Sequence, residues 1–354
     1  MTRKEIVERA ITFNDAPRVP FKFDVVGVND CYDVWTYDPT GWDWSFQGER
    51  TDEWHCVWKR TEVQNTGQAV GHPLKNLVAL KDFPWPDPEA PRRYRDFEQQ
   101  LAGAEDRFVM FCFGQGIFER LHMLQGMSET LLNFYKRPKE THEIIERILD
   151  HHIRVFRHCA KIANGRIHGA AMADDWGLQD RAFINVKLFR EFFKPRYQRW
   201  FDEIKAAGVH PWMHSCGRIN EVLEELIDCG LEVVNMQQPN VVGIDEISRR
   251  YRGRICFESI VDTQSTLPRG TYDEIRQQAH HLLDAWATPK GGFIVSDYND
   301  AEAIGVTFDR RLVMFEAFAQ KAGYPNYQEI LEQARQRGER MGHSWGRKHL
   351  EAAK

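Results

Sequence analysis

The sequence contains one pair of side chains whose types and spacing are typical of metal chemistry, in His214-Ser215-Cys216-Gly217. Residues two apart on a β-strand point to the same face, so the imidazole of His214 and the thiol of Cys216 are predicted to converge. An imidazole nitrogen and a thiolate are both good zinc ligands, and a catalytic zinc site uses three protein ligands and one open position. We therefore predict a metal site at His214 and Cys216, with Glu258 as the third ligand.

Two alternatives to this ligand set stay open from the residues alone. Cys256 lies two residues before Glu258 on the same predicted strand, one layer deeper, and is a weaker choice for the third ligand. Without a metal, His214 would be a hydrogen-bonding residue of a pocket and Cys216 a small thiol facing the core.

Two adjacent carboxylates, Asp174 and Asp175, are predicted to be catalytic. Neighbouring positions on a strand point in opposite directions, so one carboxylate would face the site and the other would brace a loop or cap a helix. A carboxylate that faces the site can act as a general acid or base. Tyr298, after a later strand, is also predicted to be catalytic. The residues predicted to bind substrate are Asp24, Trp35, Gln179 and Gln238.

The elements that must position these residues alternate between strand and helix. Predicted strands cover residues 19–26, 108–113, 170–173, 210–214, 231–236, 254–258 and 292–295. Predicted helices cover residues 4–12, 138–162, 185–204, 219–228, 247–251, 272–286, 308–321 and 327–337, the third capped by Asn185 and kinked by Pro195. This alternation predicts a parallel sheet, and an eighth strand is not recognisable. Polar residues follow six of the seven strands, at the end where parallel barrels carry their active sites.

A tryptophan-rich segment, residues 31–90, follows the first predicted strand. It contains Trp35, Trp42, Trp44, Trp54, Trp58 and Trp85, six of the eleven tryptophans of the chain. We expect this insertion to pack over the barrel mouth, with at least one of the first five indoles touching the pocket that holds His214. It would then select a flat substrate. The alternatives are a packed lid and a subunit interface.

Length and composition limit the classes of protein. A chain of 354 residues with 28% charged and 42% hydrophobic residues fits one barrel domain over residues 1–354. A net charge of −5 gives no reason to expect nucleic-acid binding, and no run of 18 apolar residues predicts a membrane span. An odd number of cysteines, seven, and an N-terminus without a signal-peptide pattern predict reduced thiols and a cytoplasmic protein.

Several motifs, in the right order over nearly the whole chain, resemble the uroporphyrinogen-decarboxylase-like superfamily. They are the opening residues 2–23 with Asn14-Asp15-Ala16-Pro17-Arg18-Val19-Pro20, then Asp174-Asp175-Trp176-Gly177-Leu178-Gln179, Phe192-Phe193-Lys194-Pro195-Arg196, His214-Ser215-Cys216-Gly217, Asn235-Met236-Gln237-Gln238-Pro239 and Gly291-Gly292-Phe293-Ile294. The resemblance implies a distorted (β/α)8 TIM barrel, here with an N-terminal insertion, and a homodimer.

Within that superfamily the chain is more similar to the cobalamin-linked methyltransferases than to true uroporphyrinogen decarboxylases. It has Asp24-Val25-Val26-Gly27 where the decarboxylases carry an arginine-rich motif, and it has the His-x-Cys pair of the methyltransferases. It departs from the thiol-methylating members because residues 295–300 contain no cysteine. The resemblance implies a zinc-dependent methyltransferase that moves a methyl group between a small methylated donor, such as an aromatic methyl ether, and a corrinoid protein or other acceptor.

Two other functions stay open. A metal-independent decarboxylase or lyase acting on a small carboxylic acid would need cationic groups at the reacting centre, with Arg166, Arg196 and Arg218 as candidates. A binding protein without activity is the third possibility, since fold alone does not establish catalysis.

Overall fold

The computed structural model describes residues 1–36, 48–60, 67–298 and 300–340. The strands in these ranges are β1 (Phe21–Phe23), β2 (Val28–Asn29), β3 (Cys31–Trp35), β4 (Gly48–Thr51), β5 (Val57–Arg60), β6 (Gln68–Gly71), β7 (Phe108–Gln115), β8 (Gly169–Ala173), β9 (His210–His214), β10 (Val233–Met236), β11 (Cys256–Ser259) and β12 (Phe293–Ser296).

The α-helices in the same ranges are α1 (Arg3–Ile11), α2 (Phe97–Ala102), α3 (Ile117–Gln125), α4 (Met127–Lys136), α5 (Pro138–Ala163), α6 (Val186–Leu188), α7 (Lys194–Ala206), α8 (Asn220–Asp228), α9 (Pro239–Val242), α10 (Ile244–Tyr251), α11 (Thr266–Arg269), α12 (Tyr272–Trp286), α13 (Phe308–Ala322) and α14 (Tyr327–Arg340). Short 3₁₀ helices span Asp24–Val26, Leu77–Asp82, Pro91–Tyr94 and Ala301–Ile304, and a π-helical turn spans Phe189–Phe193. None of the described helices is both long and apolar enough to span a bilayer.

Nine strands form one sheet in the order β2-β1-β12-β11-β10-β9-β8-β7-β3. β1 runs parallel to β12, β12 to β11, β7 to β8, and β8 to β9. β4, β5 and β6 form a separate antiparallel sheet. Parallel neighbours joined through helices are typical of α/β barrels.

The backbone divides into two compact units. One comprises residues 1–31, 106–108 and 235–354. Its core includes the rings of Phe21 and Phe23, whose centroids lie 5.7 and 5.3 Å from that of Phe315 on α13. These contacts fix β1 against the helix that follows β12.

The other unit comprises residues 32–105 and 109–234. Trp176, just after β8, is fully buried and stacks on Phe118 of α3, with a centroid distance of 4.3 Å. Its indole N–H donates to the hydroxyl of Tyr197 on α7 at 3.1 Å. This aromatic core fixes the start of α3 beside the end of β8.

The structure confirms all seven strands predicted from the sequence and the main helices after them. The predicted helix from Asn185 is interrupted, because the π-helical turn lies between α6 and α7, with Pro195 in the first turn of α7. The side chain of Asn185 accepts from the backbone N–H of Leu188 at 3.1 Å, as expected of a cap.

The segment expected to be an irregular insertion is more regular than its sequence indicates. Its first residues form β3, which joins the main sheet, and β4 to β6 follow within it. The sequence patterns also do not predict α3 and α4, which directly follow β7.

Candidate active site

Three side chains that could bind a metal converge after β8 and β9. His214 is the last residue of β9, Cys216 lies two residues further on, and Asp175 lies two residues after β8. His214 Nε2 is 3.2 Å from Cys216 Sγ and 3.5 Å from Asp175 Oδ1. One ligand atom from each residue lies within 4.8 Å of the other two. All three side chains are half-buried, so the cluster is reachable from solvent.

Close packing of two loops positions the cluster. The backbone N–H of Cys216 donates to Asp175 Oδ1 at 2.8 Å, and that of Gly177 donates to the Cys216 carbonyl at 3.1 Å. Gly217 has a φ of +75°, where a side chain is strained. A Cβ built on Gly217 would lie 2.1 Å from the Gly177 carbonyl oxygen. Only glycine at position 217 therefore allows the two loops to approach this closely.

Asp174 occupies the opposite side of the chain from Asp175 and caps α3. Its carboxylate accepts from the backbone N–H groups of Ile117, Phe118 and Glu119, at 2.8, 3.1 and 2.7 Å, and from the Tyr197 hydroxyl. Burial raises the pKa of Asp174 to about 6, although these hydrogen bonds act to lower it. The carboxylate is fully buried and caps α3, and its catalytic role stays a prediction.

Glu119, the third residue of α3, is a further candidate for the site that the sequence motifs do not indicate. Burial raises the pKa of Glu119 well above its ordinary value, and the charges of Asp175 and Asp174 add to this, while His214 opposes it. Glu119 follows β7, the one predicted strand to which no polar residue had been assigned. The absence of a polar residue after β7 indicates that one is missing from the predicted site. Glu119 could be identified only after α3 was known to begin there.

The same surroundings change the pKa of the Cys216 thiol. Burial raises the pKa of Cys216 far above its ordinary value, and the negative charge of Asp175 reinforces the effect. Both causes act against a free thiolate at neutral pH. A cation placed between the three side chains would reverse the balance, because it would stabilise the thiolate directly.

Among the residues predicted to bind substrate, Gln179 and Trp35 lie in the same unit as the cluster. Gln179 is exposed and lies in a tight turn closed by a bridge between Gly177 and Ala182. Trp35 is 41% exposed and lines a cavity together with Trp54 and Trp58. None of the described residues that line this cavity is a member of the Asp175, His214 and Cys216 cluster.

Two of the tryptophans named in the expectation for the insertion, Trp42 and Trp44, lie outside the described residues. The packing of this segment over the barrel mouth stays a prediction.

The remaining predicted residues lie in the first unit. Lys22 Nζ is 3.3 Å from Glu258 Oε1, an ion pair in which the carboxylate is buried. Asp24 is exposed and accepts from the side-chain amide of Asn29 at 2.8 Å. The role of Glu258 as a metal ligand stays a prediction from the sequence.

Gln238 and Tyr298 are half-buried residues of that unit. Gln238 precedes α9, and its carbonyl accepts from the backbone N–H of Val241 at 3.0 Å. Tyr298 follows the carboxylate of Asp297, which is paired with Arg311 through Nε at 3.0 Å. Burial raises the pKa of Asp297, and Arg311 opposes that shift.

Two of the arginines that a decarboxylase could use are engaged elsewhere. The Arg166 guanidinium pairs with Glu98 at 2.8 Å, and that of Arg196 pairs with Glu146 at 2.7 Å. Arg218, after Gly217, donates its backbone N–H to the Leu178 carbonyl at 2.7 Å. Nothing in these contacts favours the decarboxylase or lyase hypothesis.

Comparison with known protein families gives the classification. The uroporphyrinogen decarboxylase (URO-D) profile matches residues 75–297, well over half of the chain. The chain belongs to the uroporphyrinogen decarboxylase (URO-D) family. The family resemblance inferred from the sequence motifs is thereby confirmed.

Curated relatives include the methylcobamide:CoM methyltransferase MtaA of Methanosarcina barkeri, 25% identical over 115 residues, which is 32% of each chain. The protein of the same name from Methanosarcina barkeri strain Fusaro / DSM 804 is 24% identical over 115 residues, again 32% of each chain. The similar region thus spans about a third of the length of these relatives.

A solved structure, a methyltransferase from Methanosarcina mazei, superposes with a TM-score of 0.68 at 13% sequence identity. The similarity covers 90% of this chain and 99% of that one. At this identity it establishes the fold, and the predicted distorted α/β barrel is confirmed.

Proposed function

We propose that this protein is a zinc-dependent methyltransferase that moves a methyl group between a small methylated donor and a corrinoid protein or other acceptor. The observation that carries the proposal is the convergence of Asp175, His214 and Cys216 after two neighbouring parallel strands. The similarity to proteins named as methyltransferases supports the reaction class. An aromatic methyl ether is the donor that we expect.

The three side chains suit zinc in type and in spacing. With zinc bonds of about 2.0 Å to nitrogen and about 2.3 Å to sulfur, tetrahedral geometry separates two ligand atoms by roughly 3.5 Å. The distances from His214 Nε2 to Cys216 Sγ and Asp175 Oδ1, 3.2 and 3.5 Å, are close to that spacing. We therefore propose Asp175 as the third ligand, in the place that the sequence analysis gave to Glu258.

When bound, zinc would supply Lewis acidity toward the oxygen or thiol of the substrate. The residues of the chain would hold the metal and control protons around it. Glu119, whose pKa is raised by burial, would offer a proton to the group that loses its methyl. Asp174 would position Glu119 by capping the helix on which it lies. The catalytic role predicted for Tyr298 stays part of the proposal.

The methyl carrier, the oligomeric state and the location complete the proposal. A corrinoid protein as methyl carrier is proposed from the name of the curated relatives, which act on a methylcobamide. The homodimer and the cytoplasmic location stay predictions from the sequence.

Metal analysis tests the zinc scheme directly. Protein purified without chelator is expected to contain about one zinc per chain, and Cys216→Ala should lose most of it. Cys159→Ala is the matched control, because Cys159 is a buried thiol on α5 that does not belong to the cluster. A content below about 0.2 zinc per chain, with no effect of added metal, would exclude the scheme.

Methyl transfer can be assayed with free cob(I)alamin as the acceptor and a panel of methoxybenzenes as donors. The expected result is formation of methylcobalamin, followed by its absorbance, that depends on zinc and is lost in Cys216→Ala. Glu119→Gln should slow the reaction by about 100-fold, within the range of general acid–base catalysis. Zinc binding without any methyl transfer from ethers, amines or thiols would contradict the proposed reaction.

A further inference from the structure

The cavity lined by Trp35, Trp54 and Trp58 lies in the unit formed by residues 32–105 and 109–234. We call it the tryptophan cavity and define it by Trp35, Trp54, Trp58, Arg120, His151 and His152. Its volume is about 90 Å³. A single water needs about 15 Å³, so this space is several times larger than a single-water site and is on the order of the roughly 150 Å³ cavity that takes up benzene. Trp35, at 41% exposure, gives access from solvent.

The walls of the tryptophan cavity include three tryptophans and a phenylalanine. Trp54 and Trp58 are 2% and 3% exposed. The Arg120 guanidinium lies 5.0 Å from the ring centroid of Trp54, and the His151 ring lies 4.7 Å from it. Val155 of α5 completes an apolar side. Flat surfaces of this kind favour a planar occupant.

Charges in the lining cancel in pairs. Arg120 Nη1 donates to Asp52 at 2.7 Å, and Arg93 Nη1 donates to Glu53 at 3.2 Å. Asp52 also accepts from the Trp58 indole N–H at 2.9 Å. Two cations facing two carboxylates leave no net charge to attract an ion.

Hydrogen-bonding groups remain unused in the lining. Nε of Arg93, Nε of Arg120, both ring nitrogens of His151 and Nε2 of His152 have no hydrogen-bond partner among the described residues. The four residues are all more than nine-tenths buried. Buried polar groups are nearly always paired, so this concentration around one cavity points to an occupant that pairs with them.

Both histidines are neutral in this setting. Burial lowers the pKa of His152 to about 3, and it lowers the pKa of His151 well below its ordinary value. A neutral imidazole offers one donor and one acceptor, whereas the two arginine Nε–H groups offer donors only. The cavity thus presents donors and acceptors without net charge.

We propose that the tryptophan cavity binds a small, uncharged, single-ring aromatic molecule that carries a hydroxyl or ring N–H group. Its volume accepts one ring, its walls stack on a planar face, and its unpaired groups match one polar substituent. None of the described residues that line the cavity is Asp175, His214 or Cys216, and the inference does not rest on the proposed methyltransferase activity.

Calorimetric titration with phenol tests this inference, with cyclohexanol and benzoate as comparison ligands. Phenol should bind with one site per chain, at least ten-fold more tightly than the non-planar cyclohexanol or the anionic benzoate. Val155→Phe fills the cavity and should abolish binding. Val78→Phe makes the same change at a position that is 83% exposed, and it should leave binding unchanged.

A second variant keeps the test decisive if Val155→Phe folds poorly. Trp35→Ala removes an exposed wall and should weaken phenol binding at least five-fold, with an unchanged circular dichroism spectrum. Binding that survives both variants, or that is lost in Cys216→Ala instead, would overturn the proposal by placing the ring elsewhere. No measurable binding of phenol would also overturn it and leave a cavity that holds only water.

Discussion

The contacts of two carboxylates, Asp175 and Glu258, distinguish the candidates for the third metal ligand. Asp175 lies 3.5 Å from the His214 imidazole, whereas Glu258, the ligand expected from the sequence, is paired with Lys22. A buried carboxylate that already has a cationic partner gains less from a metal than one placed beside two other ligands. The contacts therefore favour Asp175.

Substitution of the two carboxylates separates these assignments. Asp175→Asn is expected to lower zinc affinity by about 10- to 100-fold, because an amide is a weaker ligand than a carboxylate. Glu258→Gln should change zinc affinity less than about three-fold. Competition with a chromogenic chelator measures both variants. A larger loss in Glu258→Gln would restore the ligand set expected from the sequence.

Buried histidines give the protein a dependence on pH that is independent of the metal cluster. Burial lowers the pKa of His152 to about 3. Below its unfolded pKa, near 6.5, the unfolded chain binds a proton that the folded chain does not, so stability falls as the pH falls from about 6.5 toward 3. At pH 5 this one residue costs about 2 kcal/mol of the free energy of unfolding.

Urea unfolding at pH 7 and pH 5 tests this dependence. His152→Phe should reduce the loss of stability between the two values by about 2 kcal/mol. His281→Phe is the control, because His281 is an exposed residue of α12 and should leave the loss unchanged. An equal loss in wild type and His152→Phe would show that His152 is protonated in the folded protein.

At the scale of elements, the cluster depends on the contact between the loops after β8 and β9. Gly217 and Gly165 both have positive φ, +75° and +80°, but only Gly217 has backbone within 4 Å of an added Cβ. Gly165→Ala should therefore cost about 1 kcal/mol, the strain of the left-handed conformation. Gly217→Ala should cost more than about 3 kcal/mol, because the two loops must also separate.

Both glycine variants can be compared by urea unfolding and by zinc content. Gly217→Ala should lose zinc along with stability, while Gly165→Ala keeps its zinc. Equal costs for the two substitutions would mean that the approach of the loops does not constrain the site.

Helix α3 contributes to the surroundings of both the metal cluster and the tryptophan cavity, which lie in the unit of residues 32–105 and 109–234. Its backbone N–H groups at residues 117–119 are bound by Asp174, so the first turn is fixed beside the metal cluster. The next residue, Arg120, reaches Asp52 at the tryptophan cavity. Adjacent residues on a helix point about 100° apart, so one short helix can serve two different sites.

At the scale of the whole molecule, metal binding should contribute to stability by mass action. A ligand that binds only the folded protein adds about 2.7 kcal/mol to the free energy of unfolding at 100 times its Kd. Urea unfolding with zinc and with EDTA should differ by about that amount in wild type. The difference should vanish in Cys216→Ala, and a persistent difference would place the metal elsewhere.

Much of this protein follows from its sequence alone. Strand, helix and turn patterns are local, so the seven strands, the cap at Asn185 and the interruption near Pro195 were predictable. The convergence of His214 and Cys216 was predictable for the same reason, since two residues apart on a strand share a face. The family motifs identified the barrel.

Only the tertiary structure decided which residues complete the candidate site. Beyond the end of a strand, the direction of a side chain depends on the loop that packs against it. The sequence predicts that one of Asp174 and Asp175 faces the site, but not which one. The contact of Asp174 with α3 leaves Asp175 to join the cluster. Glu119, the ion pair of Glu258 with Lys22, and the cavity around Trp54 depend on contacts between residues far apart in the sequence. Patterns of neighbouring residues in the sequence do not predict such contacts.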